Sequence, residues 1–243
     1  MKRIMLTTAT CDNKYLDVLK VFLMSMSINN PEKTLIRADL INGTEDMYSR
    51  LHRLYENLEI VHYDLDNTNV DWEKNEHLIT VMRLRIPMMW KTLNEDWDQV
   101  MTIDSDFIIR KPISSIWDNA VPGTIKIWDR GEEYVKKKKT MFARVQAGVH
   151  IFGNSPEIKE YYKAFMDDLG DEWAFHYGQG AIYTVYLKFK DKIRLVQMDT
   201  SYNDTKFGKK SIAWHCKHGH LKEKVFRKEF KKYLKLANEI YLK

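Results

Sequence analysis

Apolar and polar residues alternate along the chain in two patterns. Seven short apolar runs, rich in β-branched residues, predict strands. These runs are 3–8, 34–41, 58–63, 99–103, 124–128, 147–152 and 193–197. Between them, apolar residues recur at three- and four-residue spacing, which predicts amphipathic helices. The helical segments are 15–28, 45–55, 77–93, 156–169 and 179–189. Strands that alternate with helices predict a layered α/β fold with a mixed, mostly parallel sheet.

Local sequence signals define the start of one of these helices and indicate one further strand. Ser155 is a typical cap, Pro156 suits the first helical position, and Glu157 places an acid in the first turn, so a helix is expected to begin at Pro156. Residues 211–214 read as a further short strand that ends just before His215.

The chain has 243 residues, and α/β folds of about this size often form a single domain. Hydrophobic residues make up 44% and charged residues 30%, which suits a globular protein with a full core and excludes global disorder. We expect one domain over residues 1–220, followed by a basic amphipathic helix over 221–243.

The sequence also bears on the cellular compartment. The apolar run near Met1 is too short for a signal peptide, and charges interrupt every run that approaches the length of a membrane span. Cys11 and Cys216 are the two cysteines and give no disulfide framework. The expected location is the cytoplasm, with peripheral membrane contact as a further expectation.

The net charge of +5 is concentrated at the C-terminus. Residues 222–243 carry eight Lys and Arg against three Glu, which is the whole excess, so residues 1–221 are neutral on balance. That balance argues against a nucleic-acid partner. The same segment carries an apolar stripe, which either packs on the core or rests on an anionic membrane. The stripe consists of Val225, Phe226, Phe230, Tyr233, Leu234, Ala237, Ile240 and Tyr241.

Candidate chemistry lies in the loops beyond the carboxyl ends of the strands, where such sheets bind ligands. Two loops stand out, 9–13 and 104–106, and neither contains the glycine-rich pattern of a dinucleotide site or a P-loop. Asp104 and Asp106 are two residues apart at a strand end, so both carboxylates can face one ligand. Hard oxygen ligands suit Mg²⁺ or Mn²⁺ shared with phosphate oxygens. The pair alone is weak evidence, but the apolar residues on both sides of it predict a buried element.

Several motifs together resemble a known family. The segment 101–106 reads MTIDSD and follows RLRIP at 83–87. These segments resemble the retaining glycosyltransferases of the glycogenin and bacterial lipopolysaccharide galactosyltransferase type. Further matches, in the family's order, are 7–15, 147–149, Gln179 and 202–203. The resemblance implies a glycosyltransferase A-type domain that transfers a hexose with retention of configuration. It also implies a UDP-sugar donor, Mn²⁺ or Mg²⁺, and a saccharide, protein or lipid-linked acceptor.

The resemblance also implies roles for individual residues. The implied metal ligands are Asp104, Asp106 and His215. The implied donor-binding residues are Thr8, Ala9, Asp12 and Tyr15 for the nucleoside, Ser105 beside the metal, Arg83 for the phosphate or the sugar, Lys222 for the diphosphate, and Ala147, Gly148 and Gln179 for the sugar. Arg83 and Gln179 are the implied catalytic residues. No carboxylate stands out as a nucleophile for double displacement, so we expect same-face attack.

The sequence departs from the family's motifs at three places, and two groups of predicted site residues have an alternative interpretation. Gln146 replaces the family's Asn, Gly178 replaces an Asp that contacts the sugar, and Glu223 breaks the pattern that follows Lys222. Asp12 and Tyr15 could equally be a helix cap and a core aromatic. A zinc site is the alternative for the cluster at 215–220, which reads HCKHGH.

Two other functions are alternatives to glycosyl transfer. A sugar-nucleotide nucleotidyltransferase would show a glycine-rich basic loop after the first strand, and residues 8–13 contain no Gly, Lys or Arg. A catalytically silent carbohydrate-binding protein is the second rival. Residues 136–139 are expected to form a solvated loop, with closure over the donor as the sharper alternative.

Overall fold

The computed structural model of the chain describes residues 1–11, 13–64, 76–141, 144–169, 177–216 and 223–243. Within these ranges the helices are α1 (Asn13–Asn29), α2 (Glu45–Leu54), α3 (Glu76–Leu93), α4 (Glu132–Lys138), α5 (Pro156–Leu169), α6 (Tyr177–Phe189) and α7 (Lys224–Tyr241). The strands are β1 (Arg3–Thr10), β2 (Leu35–Ile41), β3 (Leu58–Tyr63), β4 (Gln99–Ile103), β5 (Phe107–Ile109), β6 (Thr124–Asp129), β7 (Val145–Gly153), β8 (Arg194–Gln197) and β9 (Ala213–His215).

A seven-stranded, mostly parallel sheet and a two-stranded ribbon organise the fold. The order in the sheet is β3-β2-β1-β4-β7-β6-β8, and β5 pairs with β9 in the ribbon. The chain divides into two compact units, one made of residues 1–4, 66–102 and 117–198 and the other of 5–65, 103–116 and 199–243. The predicted fold class is confirmed: this is a mixed α/β sheet flanked by helices.

The first unit is built on β4, β7, β6 and β8, with α5 and α6 packed against each other. β6 runs antiparallel to β7 and parallel to β8. α5 begins as its sequence predicts, because the Ser155 hydroxyl accepts a hydrogen bond from the Ile158 amide at 3.3 Å. Its aromatic face is anchored by the Tyr162 hydroxyl, which donates to the Ile86 carbonyl at 3.2 Å. This unit therefore has its own core.

The second unit places α1, α2 and α7 together and contains the β5–β9 ribbon. β2 and β3 pair in parallel, with Ile41 opposite Tyr63 at their carboxyl ends. α7 packs on α1 and α2, and its inward face is fully or nearly fully buried. The buried residues are Phe226, Tyr233, Ala237 and Tyr241. Of the two alternatives for the C-terminal stripe, packing on the core is therefore the one observed.

Most of the predicted elements are present. The strand predicted at 211–214 is observed as β9, which ends at His215 because that residue pairs with Phe107, and the loop predicted at 136–139 was wrong. Residues 136–138 belong to α4 and not to a loop. Glu132 and Glu133 lie in its first turn and three lysines in its last, so both ends complement the helix dipole. β5 was not predicted as a strand, because three residues are too few for a periodic pattern. Among the described residues, no helix combines the length and apolar character required to cross a bilayer.

Candidate metal centre

The candidate site is built on the turn between β4 and the β5–β9 ribbon. Ser105 is buried, whereas about a third of each neighbouring carboxylate side chain is exposed. β5 continues the turn and pairs antiparallel with β9, which places Phe107 opposite His215. The Cys216 amide donates to the Asp106 carbonyl at 3.0 Å and extends this pairing by one residue. The ribbon thus carries His215 to the turn from more than a hundred residues further along the chain.

Both aspartates converge on the imidazole of His215. Its Nε2 lies 3.3 Å from Oδ2 of Asp104 and 3.2 Å from Oδ1 of Asp106. One ligand atom from each of these three residues can be chosen so that all lie within 4.8 Å of one another. The alternation expected at the strand end is therefore realised, since both carboxylates face one point.

Two contacts fix the imidazole in place. Its Nδ1 lies 2.8 Å from Oδ1 of Asn203, so Nδ1 donates to this amide oxygen. The ring stacks on Phe107 with 4.3 Å between centroids and 14° between planes. Because Nδ1 keeps its proton for Asn203, the proton that the imidazole can lose is the one on Nε2, and its loss gives the tautomer required of a metal ligand.

Burial and charge act together on the pKa values of these side chains. Burial lowers the pKa of His215, but the carboxylates of Asp106 and Asp104 outweigh burial and raise that pKa to about 9. Burial raises the pKa of Asp106, against the opposing effect of His215. A proton on the imidazole therefore neutralises part of the negative charge that a divalent cation would otherwise neutralise.

The residues fit a hard divalent cation. Two carboxylates and an imidazole are ligands that Mn²⁺ accepts, and Mg²⁺ prefers the oxygens. The side-chain Oδ1 of Asp106 is buried, and its described partner is Nε2 of His215 at 3.2 Å. Once the imidazole gives up the proton on Nε2, this buried carboxylate oxygen needs a cation to stabilise its charge. His218 and His220, which the zinc alternative requires, lie outside the described residues.

Other predicted donor-binding residues of the second unit surround the carboxyl end of β1. Thr8 and Ala9 are buried on this strand, and Tyr15 is half-buried in the first turn of α1. The Thr8 hydroxyl is buried, and no described residue hydrogen-bonds to it. A buried hydroxyl of this kind is consistent with a polar ligand at the strand end. Asp12 and Lys222 lie outside the described residues.

The predicted sugar-bordering residues of the first unit lie on an irregular part of β7. Ile127 of β6 pairs with His150, whereas Trp128 pairs with Gln146, so residues 147–149 have no partner in β6. Ala147 and Gly148 therefore form a bulge, which re-aims a strand locally. Arg83 lies in α3 and Gln179 in α6, but their side chains lie outside the described residues.

Two contributors to the site were not predicted from the sequence. Asn203 was recognised as part of a Tyr-Asn pair without a role, and its carboxamide holds His215. Phe107 was taken only as an apolar neighbour of the turn, and its ring stacks on that imidazole. What marks Asn203 as functional is that its polar side chain is fully buried. Burial cannot be read from a single sequence, so the sequence offered no signal for it.

The raised pKa of His215 predicts how cation binding depends on pH. Because the imidazole is protonated below about pH 9, a cation that binds Nε2 must displace one proton. The apparent affinity for Mn²⁺ should rise about tenfold per pH unit up to that pKa and level off above it. Calorimetry in buffers of different ionisation enthalpy measures the released proton. An affinity that stays constant between neutral and mildly alkaline pH would contradict this coupling.

Replacing Asn203 with leucine should weaken cation binding by about 10- to 100-fold, the usual effect of losing a partner that orients a ligand. Leucine keeps the volume but accepts no hydrogen bond, so Nδ1 loses its acceptor. Asn203→Asp is the matched control, because a carboxylate still accepts from Nδ1 and should keep the affinity. The position of the imidazole proton can be followed by nitrogen NMR with Mg²⁺ bound. Equal weakening in both variants would mean that Asn203 acts only through folding.

Comparison with solved structures shows the fold. The glycosyltransferase GlyE of Streptococcus pneumoniae TIGR4 has a TM-score of 0.63 at 13% identity, over 98% of this chain and 63% of GlyE. The galactosyltransferase LgtC, solved in complex with donor and acceptor sugar analogs, has a TM-score of 0.59 at 12% identity, over 98% of this chain and 96% of LgtC. The bifunctional glycosyltransferase WbbM has a TM-score of 0.65 at 13% identity, over 99% of this chain and 51% of WbbM.

These similarities confirm the resemblance at the level of fold, which is the glycosyltransferase A type. The chain spans less than two thirds of GlyE and about half of WbbM. No protein-family model matches the sequence, and no curated protein matches it.

Proposed function

We propose that the chain is a metal-dependent glycosyltransferase that moves a hexose from a nucleotide sugar, specifically a UDP-sugar, to an acceptor. The observation that carries the proposal is the convergence of Asp104, Asp106 and His215 at the carboxyl end of β4, in a fold shared with glycosyltransferases. Ligands of open α/β sheets bind at such strand ends. The rival nucleotidyltransferase function has no comparable support, since no basic glycine-rich loop follows β1.

The proposed metal is Mn²⁺ or Mg²⁺, held by these three residues. A divalent cation there would stabilise the negative charge that grows on the leaving diphosphate. The side chains have complementary tasks in this proposal: two carboxylates supply charge, His215 supplies a nitrogen ligand, and Asn203 with Phe107 keeps the imidazole oriented. Ser105 is proposed to contact the donor beside them.

The proposed donor site extends along the ends of the strands. Thr8, Ala9, Asp12 and Tyr15 would line the nucleoside pocket, and the buried Thr8 hydroxyl is the polar group that best supports this assignment. Arg83 and Lys222 are proposed to meet the diphosphate. With no nucleophilic carboxylate assigned, retention would follow from same-face attack, with positive charge from Arg83 stabilising the leaving group.

The proposed sugar site includes Ala147, Gly148 and Gln179. The departure at Gln146 has a local reason, because Oε1 of this buried side chain accepts a hydrogen bond from Arg130 at 2.8 Å. The longer side chain therefore bonds to Arg130 within the first unit. This supports the proposal that the sugar preference differs from that of proteins with asparagine at this position. Gly178 also supports a different sugar preference, since glycine has no carboxylate that could bind a sugar hydroxyl.

The proposed acceptor is a saccharide, free or attached to protein or lipid, in the cytoplasm. Peripheral membrane contact through α7 is part of this proposal. Because α7 buries its apolar face in the second unit, only its outer, basic face remains for such contact.

A donor screen tests the proposed function. The full chain is incubated with Mn²⁺ and each of a panel of UDP-sugars, and release of UDP and free sugar is followed by mass spectrometry. Slow hydrolysis of one donor, abolished by a chelator, is the expected result. No UDP release from any donor, together with no UDP binding by calorimetry, would exclude the function. The anomeric configuration of the product, read by proton NMR, tests retention separately.

A further inference from the structure

A basic loop, residues 206–210, projects from the second unit at the far end of the β5–β9 ribbon from His215. Two basic side chains that follow β5, those of Arg110 and Lys111, hydrogen-bond to its backbone carbonyls. Nη1 of Arg110 donates to the carbonyl oxygens of Gly208 and Lys209 at 3.1 and 3.4 Å. Nζ of Lys111 donates to the carbonyl of Lys210 at 2.7 Å. With its carbonyls turned inward, the loop exposes the side chains of Lys206, Lys209 and Lys210.

Phe207 fixes this loop to its surroundings. Its φ is 59°, a left-handed conformation that is rare for a bulky residue and persists only where packing enforces it. The ring lies 5.6 Å from that of Trp214 and 5.1 Å from that of Phe226 in the first turn of α7. Arg110 stacks on the indole of Trp214, with its guanidinium carbon 3.8 Å from the centroid. The lysines therefore lie on a loop that Phe207 anchors to Trp214 and α7.

A carboxylate, that of Asp204, lies beside the basic loop. The carboxylate of Asp204 accepts hydrogen bonds from the amides of Lys206 and Gly208 at 2.7 and 2.6 Å and from the hydroxyl of Ser211. These bonds hold the carboxylate against the backbone, so it shapes the loop, and its single negative charge offsets only part of the positive charge of the three lysines.

The outer face of α7 continues the positive surface. Phe207 packs on Phe226, so the basic loop adjoins the first turn of α7. Lys232 is offset by Glu229 at 3.2 Å, and the exposed acids are Glu223, at the start of α7, and Glu239. The other exposed cations are Lys224, Arg227, Lys228, Lys231 and Lys235. Two aliphatic residues are exposed among them, Val225 at 57% and Leu242 at 69%.

We infer that the basic loop and the outer face of α7 form one cationic platform that binds an anionic phospholipid bilayer. Each Lys or Arg near such a surface contributes about fivefold in partitioning. The exposed aliphatic residues favour a bilayer over nucleic acid, since they can enter the acyl boundary, whereas single strands are held by exposed aromatic rings. The platform deepens the membrane contact proposed above for α7, and it rests on the proposed transferase activity only in favouring a lipid-linked acceptor among the acceptor classes.

Vesicle flotation of the full chain tests the platform. Vesicles of phosphatidylcholine alone are compared with vesicles that also contain phosphatidylglycerol. The loop variant is Lys206→Glu, Lys209→Glu, Lys210→Glu. The matched control is Lys136→Glu, Lys137→Glu, Lys138→Glu, which changes net charge equally at the exposed lysines of α4. We expect the chain to float with anionic vesicles only, the loop variant to partition at least about 100-fold more weakly, and the control to lose far less.

The outcomes separate the alternatives. Equal losses in the loop variant and the control would overturn the platform, because net charge alone would then explain binding. Equal flotation with neutral vesicles would overturn it as well, as would DNA that binds more tightly than the vesicles and displaces them. UDP-sugar hydrolysis without vesicles should be the same in the loop variant as in the unaltered chain. If the unaltered chain floats as expected but hydrolyses no donor, the proposed function fails and the platform stands.

Discussion

Replacing Asp106 with asparagine is expected to abolish tight cation binding and to lower metal-dependent turnover by about 1000-fold, which corresponds to several kcal/mol of lost charge stabilisation. Asparagine keeps the shape of the side chain but removes the charge from the buried Oδ1 that faces His215. The variant should also show a lower pKa for His215, because burial lowers that pKa and Asp106 is the foremost group that raises it. Calorimetry with Mn²⁺ and an NMR titration of the imidazole measure the two effects.

A surface carboxylate supplies the control for this prediction. Asp191 is exposed, so Asp191→Asn should leave cation affinity, turnover and the titration of His215 unchanged. Circular dichroism establishes that both variants are folded. If Asp106→Asn bound Mn²⁺ as tightly as the unaltered chain, these three residues would not be the metal site.

Truncating Phe226 to alanine is expected to destabilise the fold by about 3–5 kcal/mol. The ring is 1% exposed and packs near Phe207 and Phe230, so its removal leaves a cavity between α7 and the loop. Since a whole domain is stable by only about 5–15 kcal/mol, the loss should be plain in urea denaturation.

The adjacent residue provides the comparison for this truncation. Val225 is 57% exposed, and Val225→Ala should change the free energy of unfolding by no more than about 0.5 kcal/mol. Similar values for the two variants would mean that α7 is not part of the core. The same packing explains why membrane contact is better tested with surface substitutions than by deleting residues 223–243, since deletion would uncover α1 and α2.

The order and type of elements could be predicted because period and composition are local properties. The strand that ends at Ile103 and the helix that begins at Pro156 each have their signal within a few neighbouring residues. Elements with weak local signals were missed. β5 has three residues and exists because it pairs with β9, and α4 owes its form to charged end turns in a segment that reads as a polar loop.

The candidate site could be predicted in part for the same reason. Asp104 and Asp106 are neighbours in sequence, so their convergence follows from strand geometry. His215 was assigned through family resemblance, and its position beside them depends on the long-range pairing of Phe107 with His215. The role of Asn203 depends on a turn distant from the aspartates, and nothing in its own neighbourhood indicates it.

The β5–β9 ribbon has a consequence for folding. It joins two stretches of chain that are more than a hundred residues apart, and the three proposed ligands are divided between them. On the proposed function, a cation held there would act as a removable cross-link, which the unfolded chain cannot form. At a concentration 100 times its dissociation constant, such an ion adds about 2.7 kcal/mol to the free energy of unfolding. The cation supply of the cell would then also set the folded fraction of the chain.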